Sequence, residues 1–379
     1  MKLRNVAFAV ALGSLVAAAG TVPAQATERI VNIADAEATI SAIAPNILGD
    51  TYLPSSGTAA RQATTADSEL VTHIPSRGSE AVRFLSMDQN AAPQMSVKIG
   101  DAAGTVSGTG ISVIPSTDSK VFNYVQPTRN GIRFLTAFDR GAVSTNFSYT
   151  FDVPVGTTAQ PISNGRLALM PPKPVDNRSP WIAFGVINAP WAVDSAGNAL
   201  PTHYGWSGTT LTQYVEPSAT TTYPVLADPN WSYDFYDNLR ILYTPHDVMN
   251  NLHACFNCEF PISGAPSKYP AVGDTLNLNA SPFSFISIPA PVQVSNSYDA
   301  GTVAGFGFTA LAGHFDGAGS IVQFTFDGDR TRYLSLEVMA NVVVDRGAVA
   351  NAANTLAAER EWGIFGQNVV NTLTVIHAR

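Results

Sequence analysis

Residues Phe306–Val344 read FGFTALAGHFDGAGSIVQFTFDGDRTRYLSLEVMANVVV. In the last third of this stretch Leu334, Leu336, Val338, Ala340, Val342 and Val344 put one apolar face on alternate positions. A period of two held that long predicts a β-strand with one buried side. Two shorter alternating runs, Phe306–Leu311 and Ile321–Phe326, precede it and are its expected antiparallel partners. Asp327-Gly328-Asp329 reads as the turn between the second and third runs. The Gly-rich turn between the first two holds His314, Asp316 and Ser320.

Downstream the period changes. From Ala348 to Ile376 the apolar residues recur at three and four, with Trp362, Phe365, Val369, Leu373 and Ile376 on one stripe, which predicts an amphipathic helix. Gly363 and Gly366 bend or split it, at ~1 kcal/mol each relative to alanine. A β-meander closed by a long amphipathic helix is the outline of a helix-grip domain. Its interior would lie between Leu336, Val338 and Ala340 on the sheet and Trp362 and Phe365 on the helix, with His314 at the mouth. These six are the expected ligand-binding residues, and the ligand an apolar or amphipathic small molecule or lipid.

His314, Asp316 and Ser320 are also the residue types of a nucleophilic triad and are the weak catalytic candidates. Separate elements normally hold nucleophile, base and carboxylate in line, and three neighbours in one loop rarely reach that geometry. The sequence has no G-x-S-x-G elbow. A turn fixed by hydrogen bonds of His314 and Asp316 is the plainer reading, with Gly317 and Gly319 supplying backbone conformations closed to other residues.

Upstream, Thr244-Pro245-His246-Asp247 is a helix start: a capping hydroxyl, a proline suited to the first turn and a carboxylate able to return a bond. The helix should end near His253. Cys255 and Cys258 are the 2 cysteines of the chain. Outside the cell a C-x-x-C pair is most simply a local disulfide. Phe260-Pro261 points to an extended segment after Cys258, unlike the helix start that redox pairs exploit. A zinc site of His253, Cys255 and Cys258 is the sharper alternative, although His246, seven positions before His253, would lie ~10 Å away on a helix. No metal and no cofactor is expected.

Earlier in the chain Met95, Val97 and Ile99 alternate with polar residues, as do Ile132, Phe134 and Phe138, and Phe147, Tyr149, Phe151 and Val153; Arg129-Asn130-Gly131 is a tight turn. The expected fold is therefore mostly β: a β-sandwich over 81–228, then an α+β domain of helix-grip type over 231–377. Residues 27–80 are small and polar, with one short strand expected at Ile30–Ile33, and read as a loosely ordered leader. Trp181, Trp191, Trp206 and Trp231 gather around the expected junction, where packing is their plainest use.

Lys2 and Arg4, an apolar run from Val6 to Ala19 and the small residues ending Ala24-Gln25-Ala26 form a secretory signal peptide over 1–26, with cleavage after Ala26. That run is too short to span a bilayer of roughly 30 Å at ~1.5 Å per residue. Without Lys2 and Arg4 the 21 basic residues become 19 against 29 acids, a net charge of −10. An acidic chain without a basic cluster suits neither nucleic acid nor anionic lipid. The expected product is secreted, with no integral membrane segment and with cell-envelope contacts as its remaining kind of partner.

Two resemblances accompany these readings. The run Phe308-Thr309-Ala310-Leu311-Ala312-Gly313-His314, the strand through Phe324, and the strand and Arg346 before the helix together resemble an uncharacterised bacterial START-like family. That family carries Gly-Thr-Leu-Pro-Gly-His, an acidic Gly-Glu-Glu stretch and a Phe-bearing strand. Gly313 and His314 match; Ala312 stands where the proline would, and Asp316-Gly317-Ala318-Gly319-Ser320 replaces the acidic stretch. The resemblance implies the helix-grip fold and no settled activity. Residues 187–229, from Ile187-Asn188-Ala189-Pro190-Trp191 to Ala227-Asp228-Pro229, resemble a β-module recurring in secreted bacterial proteins upstream of assorted C-terminal domains, which implies a boundary near Pro229. Three functions fit: a noncatalytic binding module, an extracellular hydrolase using His314 and Asp316, or a cell-surface structural or adhesion protein.

Overall fold

The computed structural model describes residues 33–47, 62–64, 70–73, 81–86, 95–99, 105–106 and 111–376, except 129–130, 177–178, 233, 284–285 and 344–347. The signal peptide, residues 30–32, the Arg129-Asn130 pair, Val344, Arg346 and His377 lie outside the described residues. Ile33 opens a helix, α1 (Ile33–Ile43), where the sequence suggested the end of a strand. The helix buries Ile40 and Ile43, three positions apart and so on one face. Two further pieces of the expected leader, Gln62–Thr64 and Leu70–His73, pair antiparallel.

The fold is mostly β, as the alternation predicts. Two antiparallel sheets, of 7 and 10 strands, form the sandwich. Val82, Val97, Tyr149, Phe151 and Leu211 from the first face Ile114, Val125, Ile132, Phe134, Leu169 and Trp231 from the second in one buried cluster. Strands Met95–Lys98, Gly131–Phe138 and Asn146–Asp152 stand where the sequence places them. Gly131 has no room for a side chain, because a Cβ there would sit 2.0 Å from the carbonyl oxygen of Trp231.

Asp228 is buried in this sandwich, 1 % exposed. Burial pushes its carboxyl up to about 8, with Arg133 and hydrogen bonds from Trp191 opposing. The Arg133 Nε lies 3.9 Å from Oδ2, too far for a hydrogen bond, so the guanidinium offsets only part of the desolvation. The folded chain therefore keeps a proton that the unfolded chain releases near pH ~4, and stability falls as pH rises from there toward 8. Asp228→Asn should flatten that slope, raising stability at pH 8 relative to wild type by on the order of a few kcal/mol and changing it little at pH 4. Thermal melts of both proteins across this range check it; parallel curves would contradict it.

The last strand of the sandwich, Asn230–Ser232, pairs with Val186–Ile187 and Gly131–Phe138. Two residues later the chain enters a different sheet through β1 (Phe235–Asn238), all four residues buried. The change of sheet thus falls between Ser232 and Phe235, just past the Pro229 that the resemblance suggested. The segment around it is tied down on both sides. Ala183 N–H donates to the Tyr236 carbonyl, Asn238 N–H to that of Trp181, and Trp181 N–H to the Asp237 carboxylate. The Arg166 guanidinium grips both carboxylate oxygens of Glu337.

This third sheet has 6 antiparallel strands. They are β1, β2 (Thr275–Phe283), β3 (Ile286–Asp299), β4 (Val303–Ala310), β5 (Ile321–Asp327) and β6 (Ser335–Asn341), in the order β1-β6-β5-β4-β3-β2. Helix α2 (Pro245–Ala254) begins with the predicted capping box, Thr244 and Asp247 each bonding the other's backbone N–H. Helix α3 (Phe256–Glu259) follows at once, and α4 (Ala348–Ile376) closes the chain as one helix of 29 residues. All three helices contribute to one buried cluster with the sheet: Leu252 from α2, Phe256 from α3 and Phe365, Val369 and Leu373 from α4. Among the described residues no helix is long and apolar enough to cross a membrane.

Candidate functional site

Strand register decides which part of this interior is filled. Across β6, β5 and β4, Val338 lies opposite Phe324, and Phe324 opposite Phe306. One step along the strands on the same face, Ala340 lies opposite Val322 and Val322 opposite Phe308. One step further, Ala310 faces Val292. On β2 and β3, Leu278 pairs with Ala290. The inward side chains therefore shrink from phenylalanine to alanine and valine toward the β4–β5 loop.

The large end is solid. Phe306 and Phe324 stack at 4.9 Å, Phe256 and Phe260 at 5.0 Å, and Phe365 from α4 sits 5.8 Å from Phe324. At the small end α4 offers Ala357 and Ala358, and no described side chain fills the space. A cavity of about 190 Å³ results, against the ~10–15 Å³ that one water needs. Ala290, Ala310 and Ala340 line it from the sheet, and Trp362 from the helix. Trp362 marks the border with the solid end, its ring edge-on to Phe324 at 4.8 Å.

Of the expected ligand-binding residues, His314, Ala340 and Trp362 meet at this cavity. Leu336, Val338 and Phe365 are in the solid core instead. They share a face or stripe with the first group, but the phenylalanines stand between.

The His314 loop forms the polar end. Gly313, Gly317 and Gly319 all have φ near +90°, at 91°, 84° and 91°, a region that residues with a Cβ rarely enter. Chain reversal is completed by Gly319 N–H donating to the Ala310 carbonyl and Ala310 N–H to the Ser320 carbonyl. His314 Nδ1 accepts from the Asp316 N–H at 2.9 Å, which assigns the proton of the neutral ring to Nε2. The Asp316 carboxylate is 3.9 Å from Nδ1. Ser320 donates to the Asp316 carbonyl at 2.6 Å and accepts from the Val343 N–H at 2.9 Å, so its hydroxyl joins the loop to the end of β6. All three side chains reach the cavity lining. The serine hydroxyl is thus spent on backbone partners, and the histidine nitrogen nearest Asp316 accepts a bond rather than donating one.

Glu361 on α4 also lines the cavity. Sequence reasoning passed over it, because a glutamate one position before Trp362 reads as the solvent side of an amphipathic helix. It is half-buried, and burial holds its carboxyl above the ordinary range, with Arg360 opposing.

The remaining candidates lie apart from this cavity. Cys255 and Cys258 bring their sulfurs to disulfide distance, with Cα atoms 5.3 Å apart. Cys258 belongs to the short helix α3, held by burial of Phe256 and Phe260, and the backbone becomes extended at Phe260, before Pro261, where the sequence suggested extended chain. His253 stacks on Tyr269 at 4.1 Å, and His246 bonds Asp299 at 2.6 Å. Among the described residues no group of three His, Cys, Asp or Glu could hold a metal ion. Asp327 and Asp329 are both bound to Arg332 across the β5–β6 turn. No family model, curated protein or solved structure matches the chain.

Proposed function

We propose that this is an exported, noncatalytic binding module that holds one apolar or amphipathic small molecule in the cavity between the third sheet and α4. The observation that carries the reading is the size gradient: alanines from β3, β4, β6 and α4 converge on one space beside a core that phenylalanines otherwise fill. Apolar walls with a few polar groups at one end are the ordinary make-up of a small-molecule site. The bonding of Ser320 to backbone groups supports binding over nucleophilic hydrolysis by this loop. Disulfide distance between Cys255 and Cys258 supports an oxidising compartment, in keeping with the signal-like residues 1–26.

Native mass spectrometry of the protein purified from its own host tests the export and binding readings in one preparation. The expected result is a chain beginning at Thr27, two hydrogens lighter than its dithiol form, carrying one releasable small molecule. A retained Met1 or two free thiols would count against export, and hydrolysis of test esters that His314→Ala abolishes would favour the hydrolase.

A further inference from the structure

Apart from His314, the ionisable groups of the described lining are acids. Glu361 and its chain neighbour Trp362 both line the cavity, and the lining includes three more aromatic residues, Phe260, Phe308 and Phe315. Asp316 supplies a second carboxylate, and the described lining holds neither lysine nor arginine. A cavity whose lining holds both carboxylates and aromatic rings suits a cation twice over: the full charge attracts an ammonium group, and so does the negative face of a ring. A ligand carboxylate would meet Glu361 as a like charge in a partly desolvated space, which disfavours it.

We infer that the cavity selects amphipathic amines, an ammonium head beside Glu361 and Trp362 with an alkyl tail among the alanines, over carboxylates bearing the same tail. This rests on the binding reading above and adds the class of head group. The hydroxyl of a neutral alcohol would gain a hydrogen bond but no charge attraction, and belongs between the two.

The test is displacement of a neutral fluorophore, N-phenyl-1-naphthylamine, by octylamine, octanol and octanoate at pH 7 and low salt. Octylamine is protonated there, as an alkyl amine with a pKa near ~10. The expected order is octylamine at least tenfold more potent than octanoate, with octanol between. Glu361→Gln should bring octylamine close to octanol, and Glu361→Lys should place octanoate first, with melting curves verifying that both variants are folded. Octanoate equal to or better than octylamine on the wild type, while the fluorophore binds, would overturn the amine preference alone. A fluorophore that fails to bind would instead remove the binding reading and the preference with it.

Discussion

Phe324→Ala is expected to lower the unfolding free energy by about 3–5 kcal/mol, the range for removing a fully buried phenylalanine. Phe324 is 0 % exposed and stands in the core of the third sheet. Its ring stacks on Phe306 at 4.9 Å and meets Phe260, Trp362 and Phe365 at 5.6, 4.8 and 5.8 Å. Elements from both sides of the interior close on this one ring, so no single neighbour can move to fill the space it leaves. Urea unfolding should show the midpoint falling with an unchanged slope. A loss below about 1 kcal/mol would mean that the core is looser than this packing implies.

Ala340→Trp is expected to abolish ligand binding while leaving the fold intact. Ala340 lines the cavity, yet it is exposed, so an indole there projects into open space instead of being forced into packed core. The cavity is about 190 Å³, and a tryptophan side chain takes up much of it. Stability should stay within about 1 kcal/mol of wild type. Met339→Trp supplies the control. Met339 is 42 % exposed, adjacent on β6 and directed to the other side of the sheet, and it does not line the cavity. Binding that survives Ala340→Trp, or is lost equally with Met339→Trp, would place the ligand elsewhere.

The sequence made the last three strands of the third sheet and the closing helix legible because alternation and the 3.6 period are local signals. The capping box at Thr244 was readable for the same reason. The partition of the interior was not. Leu336 and Ala340 lie on the same face of one strand, and which of them borders a cavity depends on whether Phe326 or Val322 stands opposite. That is a matter of register between strands, set by the whole sheet. Glu361 was missed for a related reason: its position on the helix reads as outward until small neighbours leave space beside it. Helix α1 begins in a segment whose small, polar residues gave no strong period, and its buried Ile40 and Ile43 are fixed by tertiary contact.

β1 shows the other limit. Phe235–Asn238 contains a phenylalanine, a tyrosine, an aspartate and an asparagine, and reads as a polar-tinged junction. In the fold all four are buried, because β6 pairs with one edge and the backbone around Trp181 and Ala183 bonds the other. The carboxyl of Asp237 is pushed up to about 6 by that burial, against the bond from Trp181 and the nearby Arg240. Local composition cannot reveal a strand whose polar groups are satisfied by partners from two distant parts of the chain.

The central claim is that the space beside Ala310 and Ala340 receives a ligand. Fluorescence titration of the purified wild-type protein with N-phenyl-1-naphthylamine tests it most directly. The account predicts a blue-shifted signal that saturates at one fluorophore per chain and disappears in Ala340→Trp. A signal that rises linearly without saturation, or saturates identically in both proteins, would contradict it.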